Sequence, residues 1–276
     1  MSKISVVLCV LTPTPFLRAM TEFAIRTLRM HADNEFELVV VEAEGNYFNP
    51  QYRSGWADGT ATVVMLPLEE RGKTDGADVY LNFTPKIGCV KELNKGLEAA
   101  TGDFIVCTGN DVIVPPHWDT ELLRCFDERK DCALASLSAL EPGWVVGPAQ
   151  TMDMIVEGNY SPFCMFRKGE VFDEAYTKIY QDSDLVMRIY ERGQRAYRSC
   201  RAHVHHLCRM TSDRVDPTGH DRQLAQDEQL FYSRWEKSPL MMFGMIRYGR
   251  WQYGLEHQSF TTPINRHLLP SKSGVW

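Results

Sequence analysis

The stretch Phe-Ile-Val-Cys-Thr-Gly-Asn-Asp-Val-Ile-Val-Pro-Pro-His-Trp at residues 104–118 decides how the rest of the chain is read. Phe104 to Thr108 are apolar or β-branched without alternation, as in a strand covered on both faces of a parallel sheet. Gly109, Asn110 and Asp111 then break the strand at its carboxyl end, where open α/β sheets bind their ligands. Working outward, residues 5–11 and 36–41 repeat the buried-strand pattern, and residues 61–66 supply a further strand. Thr14 and Pro15 read as N-cap and first residue of a helix ending at His31, with Phe16, Met20, Phe23, Ala24, Thr27 and Leu28 on its inner face. Residues 45–60 read as loop, as does the polar stretch before residue 86. Residues 86–100 carry Ile87, Val90, Leu93, Asn94 and Leu97 at helical spacing, and Gly102 reads as the C′ residue beyond that helix.

This order predicts an α/β fold with a mostly parallel central sheet and right-handed crossovers. Polar groups stand at three of its strand ends: Thr12, the run Glu42 to Gly45, and Asn110-Asp111. No Gly-x-Gly-x-x-Gly and no P-loop occurs, which excludes the usual dinucleotide and P-loop chemistries. Further on, residues 116–129 predict a helix and residues 133–137 a strand. Residues 182–192 predict an amphipathic helix with Asp182 at or near its N-cap, Leu185, Val186, Ile189 and Tyr190 inside, and Gly193 as its stop. Residues 196–198 and 202–206 read as two short extended pieces.

Taken in order, these motifs resemble family 2 of the GT-A glycosyltransferases. Residues 109–118 resemble the family's strand-end acidic motif, and Gly88-x5-Asn94-x-Gly96 its preceding helix. Residues 163–168 followed by 180–185 resemble the acceptor-side segment, and residues 202–206 the histidine-containing strand after it. The resemblance covers residues 3–212 and implies a GT-A catalytic domain at 1–212, with a nucleotide-sugar half at 1–115 and an acceptor and metal half at 116–212. Residues 213–276 are then a C-terminal extension.

It also implies an inverting transfer from a nucleotide sugar, with UDP as the expected nucleotide, to an acceptor hydroxyl. A divalent cation, Mn²⁺ or Mg²⁺, would offset charge on the leaving diphosphate. Asp111 is the implied metal ligand, with His206, or alternatively His205, completing the shell, since imidazole suits Mn²⁺ better than Mg²⁺. Asp182 matches the family's general base, a role that competes with helix capping for the same oxygens. Asp184 reads as structural. On the donor side the resemblance implies Thr12, Glu42 or Glu44, Lys91, Asn94 and Asn110. Two departures stand out: Gly109 or Asn110 where the family has a second carboxylate, and Gln181 where it has Glu. They motivate one alternative, a degenerate domain that binds without turnover. A nucleotidyltransferase is the other, although residues 11–15 lack its Gly-rich basic loop.

With 30 Lys+Arg against 36 Asp+Glu the chain carries a formal charge of −6, which argues against nucleic-acid binding over the whole surface. Residues 234–276 run the other way, with six basic and two acidic side chains among aromatics, a pattern suited to an anionic lipid surface, nucleic acid or a protein. Arg188, Arg192 and Arg195 form one stripe if the helix extends that far. The acceptor candidates are a glycan, a glycoconjugate or modified DNA, and Trp144 is a candidate stacking platform. The longest apolar run, Val6 to Leu11, is six residues, against about 20 for a membrane span, and no secretory leader is legible. The eight cysteines include no C-x-x-C pair, and Cys9 and Cys107 read as buried thiols. A reducing, cytoplasmic location is expected.

Overall fold

A computed structural model of the chain describes residues 3–12, 14–43, 54–55, 62–65, 77–83, 86–140, 154–158, 163–207 and 217–238. Along the chain come β1 (Ile4–Val10), α1 (Pro15–His31), β2 (Phe36–Ala43), β3 (Ser54–Gly55), β4 (Thr62–Met65), β5 (Val79–Phe83), α2 (Cys89–Ala99) and β6 (Phe104–Gly109). They are followed by β7 (Val112–Ile113), α3 (Trp118–Glu128), β8 (Cys132–Leu140), β9 (Ile155–Glu157), β10 (Phe163–Arg167), α4 (Gln181–Glu191), β11 (Arg195–His206) and α5 (Pro217–Trp235).

One sheet runs β3-β4-β5-β2-β1-β6-β10-β8-β11-β7, with β9 on β11. Strands β5, β2, β1 and β6 are parallel, and β10 then enters antiparallel to both β6 and β8. Side chains alternate between two cores. One packs Ile25, Leu28, Trp118, Leu122 and Phe126 of α1 and α3 against one face. The other packs Val90, Leu93, Leu185, Ile189, Phe231 and Trp235 of α2, α4 and α5 against the opposite face. Helices on both faces explain why the central strands read as unbroken apolar runs. Trp118 sits edge-on to Phe36 and Phe163 at 5.5 and 5.6 Å and donates from Nε1 to the Leu28 carbonyl at 3.1 Å. The last residue of the 104–118 stretch is therefore a core anchor.

Several local expectations hold. Thr14 caps α1 through a bond from Leu17 N at 3.3 Å, with Pro15 opening the helix. Leu185, Val186, Ile189 and Tyr190 are all buried. Others need correction. The inner face of α1 is Leu17, Met20, Thr21, Ala24, Ile25, Thr27 and Leu28, whereas Phe16 and Phe23 are 46% and 48% exposed. The stripe is rotated away from its two aromatics because Thr21 hides its hydroxyl on the Leu17 carbonyl. The stretch before residue 86 contains β5, whose Val79 to Phe83 pair in parallel with β2. The two extended pieces near the end are one strand, β11. Its pairing with β8 shifts register between Ser199 and His203, which breaks the pattern in sequence without breaking the strand.

Gly102 does not cap α2, whose C-cap is Ala100. A side chain there would place Cβ 2.7 Å from the Ser5 backbone nitrogen, so the glycine allows a close crossing of two chain segments. Gly102→Ala is expected to destabilise the protein by about 1–3 kcal/mol. A thermal melt of the variant beside wild type checks this, and an unchanged midpoint would contradict it.

Candidate active site

The parallel register brings polar residues into line. Val10 stands opposite Glu42, Glu42 opposite Asn82, and Cys9 opposite Gly109, so the ends of β1, β2, β5 and β6 form one edge. Glu42 is fully buried and accepts hydrogen bonds from the hydroxyls of Thr12 and Tyr80, while Asn82 Nδ2 donates to the Tyr80 hydroxyl at 2.7 Å. A carboxylate without solvent needs such donors. Thr12 and Glu42, expected at the donor site, are thus joined to each other. Tyr80 and Asn82 were not foreseen, although the alternation of Val79, Leu81 and Phe83 with Tyr80 and Asn82 is the signal that places them. Glu44, the alternative to Glu42, lies outside the described residues, as does Trp144.

Asn110 turns inward. It is 4% exposed and its amide donates to Thr21 Oγ1 at 2.8 Å, tying the strand-end turn to α1. Asp111 faces the other way. Strand β7 pairs antiparallel with β11, opposing Val112 to His206, and Leu207 N donates to the Asp111 carbonyl at 2.8 Å. This ladder brings His206 Nε2 to 3.7 Å from Asp111 Oδ2, with the two side chains 13% and 19% exposed, enough for a ligand to reach them. Of the two candidate histidines, His206 meets Asp111, because alternation along the strand turns His205 to the opposite face. At Gly109 a Cβ would come 2.8 Å from Asp111 Oδ1, so the glycine leaves the carboxylate its room. Burial works to raise the Asp111 carboxyl. The nearby His206, a backbone N–H and the Lys178 ammonium outweigh it and hold the group below the usual carboxylate range.

The N-cap of α4 is Tyr180, held at φ 64. Asp182 is therefore the second residue of the helix, near the N-cap as expected, while the cap residue itself is Tyr180. Its position sets it in the favourable field of the helix start. Burial pushes the Cys164 thiol up and the charge of Asp182 adds to the rise. Asp184 is buried and accepts from Trp235 Nε1 at 2.9 Å, Tyr176 at 3.2 Å and Arg188 Nε at 2.8 Å, a structural hub as expected.

Helix α2 starts at the same edge. Its first turn is closed by buried Glu92, whose Oε1 accepts from Ile87 N at 2.8 Å and Gly88 N at 3.2 Å. Lys91 is exposed beside it. Asn94 braces a loop: Nδ2 donates to the Phe172 carbonyl at 2.8 Å and Oδ1 accepts from Phe172 N at 2.9 Å. The basic stripe does not form, because α4 ends at Glu191 and Arg195 opens β11. Arg188 binds Asp184, Arg192 pairs with Glu170, and Arg195 lies 5.1 Å over the Tyr190 ring. The described cysteines are free thiols, and burial pushes Cys89 up to about 11 and Cys125 up to about 12. Among the described residues no group of three His, Cys, Asp or Glu gathers to hold a metal alone, and no helix is long and apolar enough to cross a membrane.

Residues 71–176 match the family model described as Glycosyl transferase family 2. No curated protein matches in sequence. Among solved structures, S. aureus TarS 1–349 matches with a TM-score of 0.54 at 14% identity, over 89% of this chain and 78% of that one. TarS 1–349 in complex with UDP-GlcNAc matches at 0.50 and 16% identity, over 74% and 58%. The mannosyltransferase PcManGT from Pyrobaculum calidifontis, in complex with GDP-Man and Mn²⁺, matches at 0.55 and 15% identity, over 83% and 63%. Against the longer TarS the chain spans 47% of the length. At such identities the structures speak for the fold alone. The chain has the fold of these glycosyltransferases, and its residues 71–176 match glycosyltransferase family 2.

Proposed function

We propose that the chain is a family 2 glycosyltransferase that moves a sugar from a UDP sugar to an acceptor hydroxyl by a single inverting displacement. The observation that carries the reading is the meeting of Asp111 and His206 at 3.7 Å on the edge formed by the ends of β1, β2 and β6. One hard oxygen donor and one imidazole fit Mn²⁺ better than Mg²⁺. Two protein ligands leave coordination positions for diphosphate oxygens, and Gly109 keeps space for the carboxylate. When bound, the cation offsets the charge that develops on the leaving diphosphate.

The chain's own groups do the rest. Asp182, ahead of Leu185 and Val186 in the packed start of α4, takes the proton from the attacking hydroxyl. Thr12 and the buried Glu42 line the nucleoside side of the donor. The PcManGT complex with GDP-Man and Mn²⁺ and the TarS complexes with UDP and UDP-GlcNAc support a nucleotide-sugar donor.

The test is donor consumption with UDP-GlcNAc, UDP-glucose and GDP-mannose, each with Mn²⁺, with Mg²⁺ and with EDTA. Mass spectrometry of products from a mixed panel of glycans, peptides and hydroxymethylated DNA identifies the acceptor. Mn²⁺-dependent release of UDP is expected, and EDTA should abolish it. Nucleotide binding with no turnover on any acceptor would replace this reading with that of a binding domain.

A further inference from the structure

The turn that leads into α4 is held from a distant helix. Asp227 of α5 is 1% exposed and accepts from Thr177 N at 2.9 Å, Thr177 Oγ1 at 2.9 Å, Lys178 N at 2.9 Å and Ile179 N at 2.8 Å. Three consecutive backbone N–H groups converge on one carboxylate, an anchor built of charge-assisted bonds. Tyr180 follows at φ 64, a left-handed bend that a bulky side chain takes only where its surroundings impose it. Its carbonyl accepts from Asp184 N at 2.8 Å, and Asp182 stands inside the turn that this bond closes. Anchor, bend and helix head are therefore one continuous unit, residues 177–182. The anchoring helix is itself fixed: Phe231 is fully buried with its ring 5.1 Å from Tyr180, Trp235 donates to Asp184 at 2.9 Å, and Arg234 pairs with Asp173 at 2.5 Å. The family segment stops at Tyr176, so both the turn and α5 lie beyond it.

Topology turns the head of α4 toward the candidate site. β11 runs parallel to β8 and ends at His206, opposite Val112. α4 packs on β8 and β11, ends at Glu191, and leads by a short link to Arg195 at the start of β11. The helix thus runs back against the direction of β11. Its first turn is carried toward the edge where His206 meets Asp111.

We propose that Asp227 is a positioning residue for transfer: by fixing the turn at 177–179 it sets the bearing of Asp182, which makes α5 part of the catalytic apparatus. This rests on the reading of Asp182 as the base given above. Asp227 touches no substrate; it acts through the turn.

The test compares wild type, Asp227→Asn, Asp182→Asn and the Asp182→Asn/Asp227→Asn double variant. Nucleotide release is followed with UDP-GlcNAc, UDP-glucose and GDP-mannose, each with Mn²⁺, and calorimetry gives the dissociation constant of UDP. Asp227→Asn replaces an accepting oxygen by an amide nitrogen that only donates. It is expected to lower kcat about ten-fold or more, with UDP binding within about two-fold of wild type. The double variant should be no slower than Asp182→Asn alone, since both changes act through one group. Losses that multiply overturn the proposal, because a merely structural role would act independently of Asp182. So does an unchanged kcat in Asp227→Asn, or a kcat that falls only in step with UDP affinity or binding stoichiometry. If Asp227→Asn does not fold, Thr177 decides, since it is exposed and its hydroxyl donates one of the bonds. A kcat lowered in Thr177→Val and restored in Thr177→Ser supports the proposal, and an unchanged kcat in Thr177→Val overturns it. Asp182→Asn turning over at the wild-type rate overturns the base reading and this proposal together, as does a wild type that releases no nucleotide. Both results show before Asp227 is touched.

Discussion

Asp182→Asn is expected to lower turnover by about 10²–10⁴-fold while leaving nucleotide binding within two-fold or so of wild type. The substitution keeps the shape of the side chain and removes the one property a base requires. It costs little in folding, because Asp182 lies within the first turn of α4 and the cap is Tyr180. Loss of its favourable interaction with the helix start amounts to about 0.3–1 kcal/mol. Steady-state rates beside calorimetric UDP titrations separate the two effects. Binding and turnover falling together would return Asp182 to a structural role.

The second large effect concerns Asp111. Asp111→Ala is expected to cost roughly a hundred-fold or more in turnover and to erase the difference between Mn²⁺ and EDTA in nucleotide binding. The carboxylate is charged at neutral pH, since His206 and Lys178 hold it below the ordinary range against the effect of burial. Removing it leaves His206 alone beside the β7–β11 ladder, and one imidazole does not hold a hard cation in competition with water. The ladder itself, with Leu207 N on the Asp111 carbonyl, uses only backbone and should survive. Circular dichroism and a thermal melt check that. Retained Mn²⁺ dependence in a folded variant would remove Asp111 from the metal site.

How much of this was legible depended on the range of the interactions involved. β1, β2 and β6 were legible because a strand buried on both faces writes its burial into every residue. The cap of α1 was legible because Thr14 and Pro15 act within one turn. The strand-end rim was legible as a set, since parallel strands must end together. Strand β5 was obscured by the polar Asn82, and by a Tyr80 whose hydroxyl is bound to Glu42 of the neighbouring strand. Phe16 and Phe23 are exposed in spite of their aromatic bulk, whereas α1 buries its threonines by returning their hydroxyls to its own carbonyls. Helix α5 has little amphipathic signal: one buried acid and two buried aromatics meet partners about fifty residues earlier. Such pairings leave no local periodicity to read.

That separation between Asp227 and the turn it holds also orders events during synthesis. A ribosome extends the chain from its amino end, so strands β1 to β11 are all available to pair before Asp227 exists. Until α5 emerges and docks Phe231 and Trp235, the 177–179 turn lacks the acceptor for its N–H groups, and the head of α4 has no fixed bearing. The bearing of α4 is therefore set last, after every strand of the sheet is available to pair.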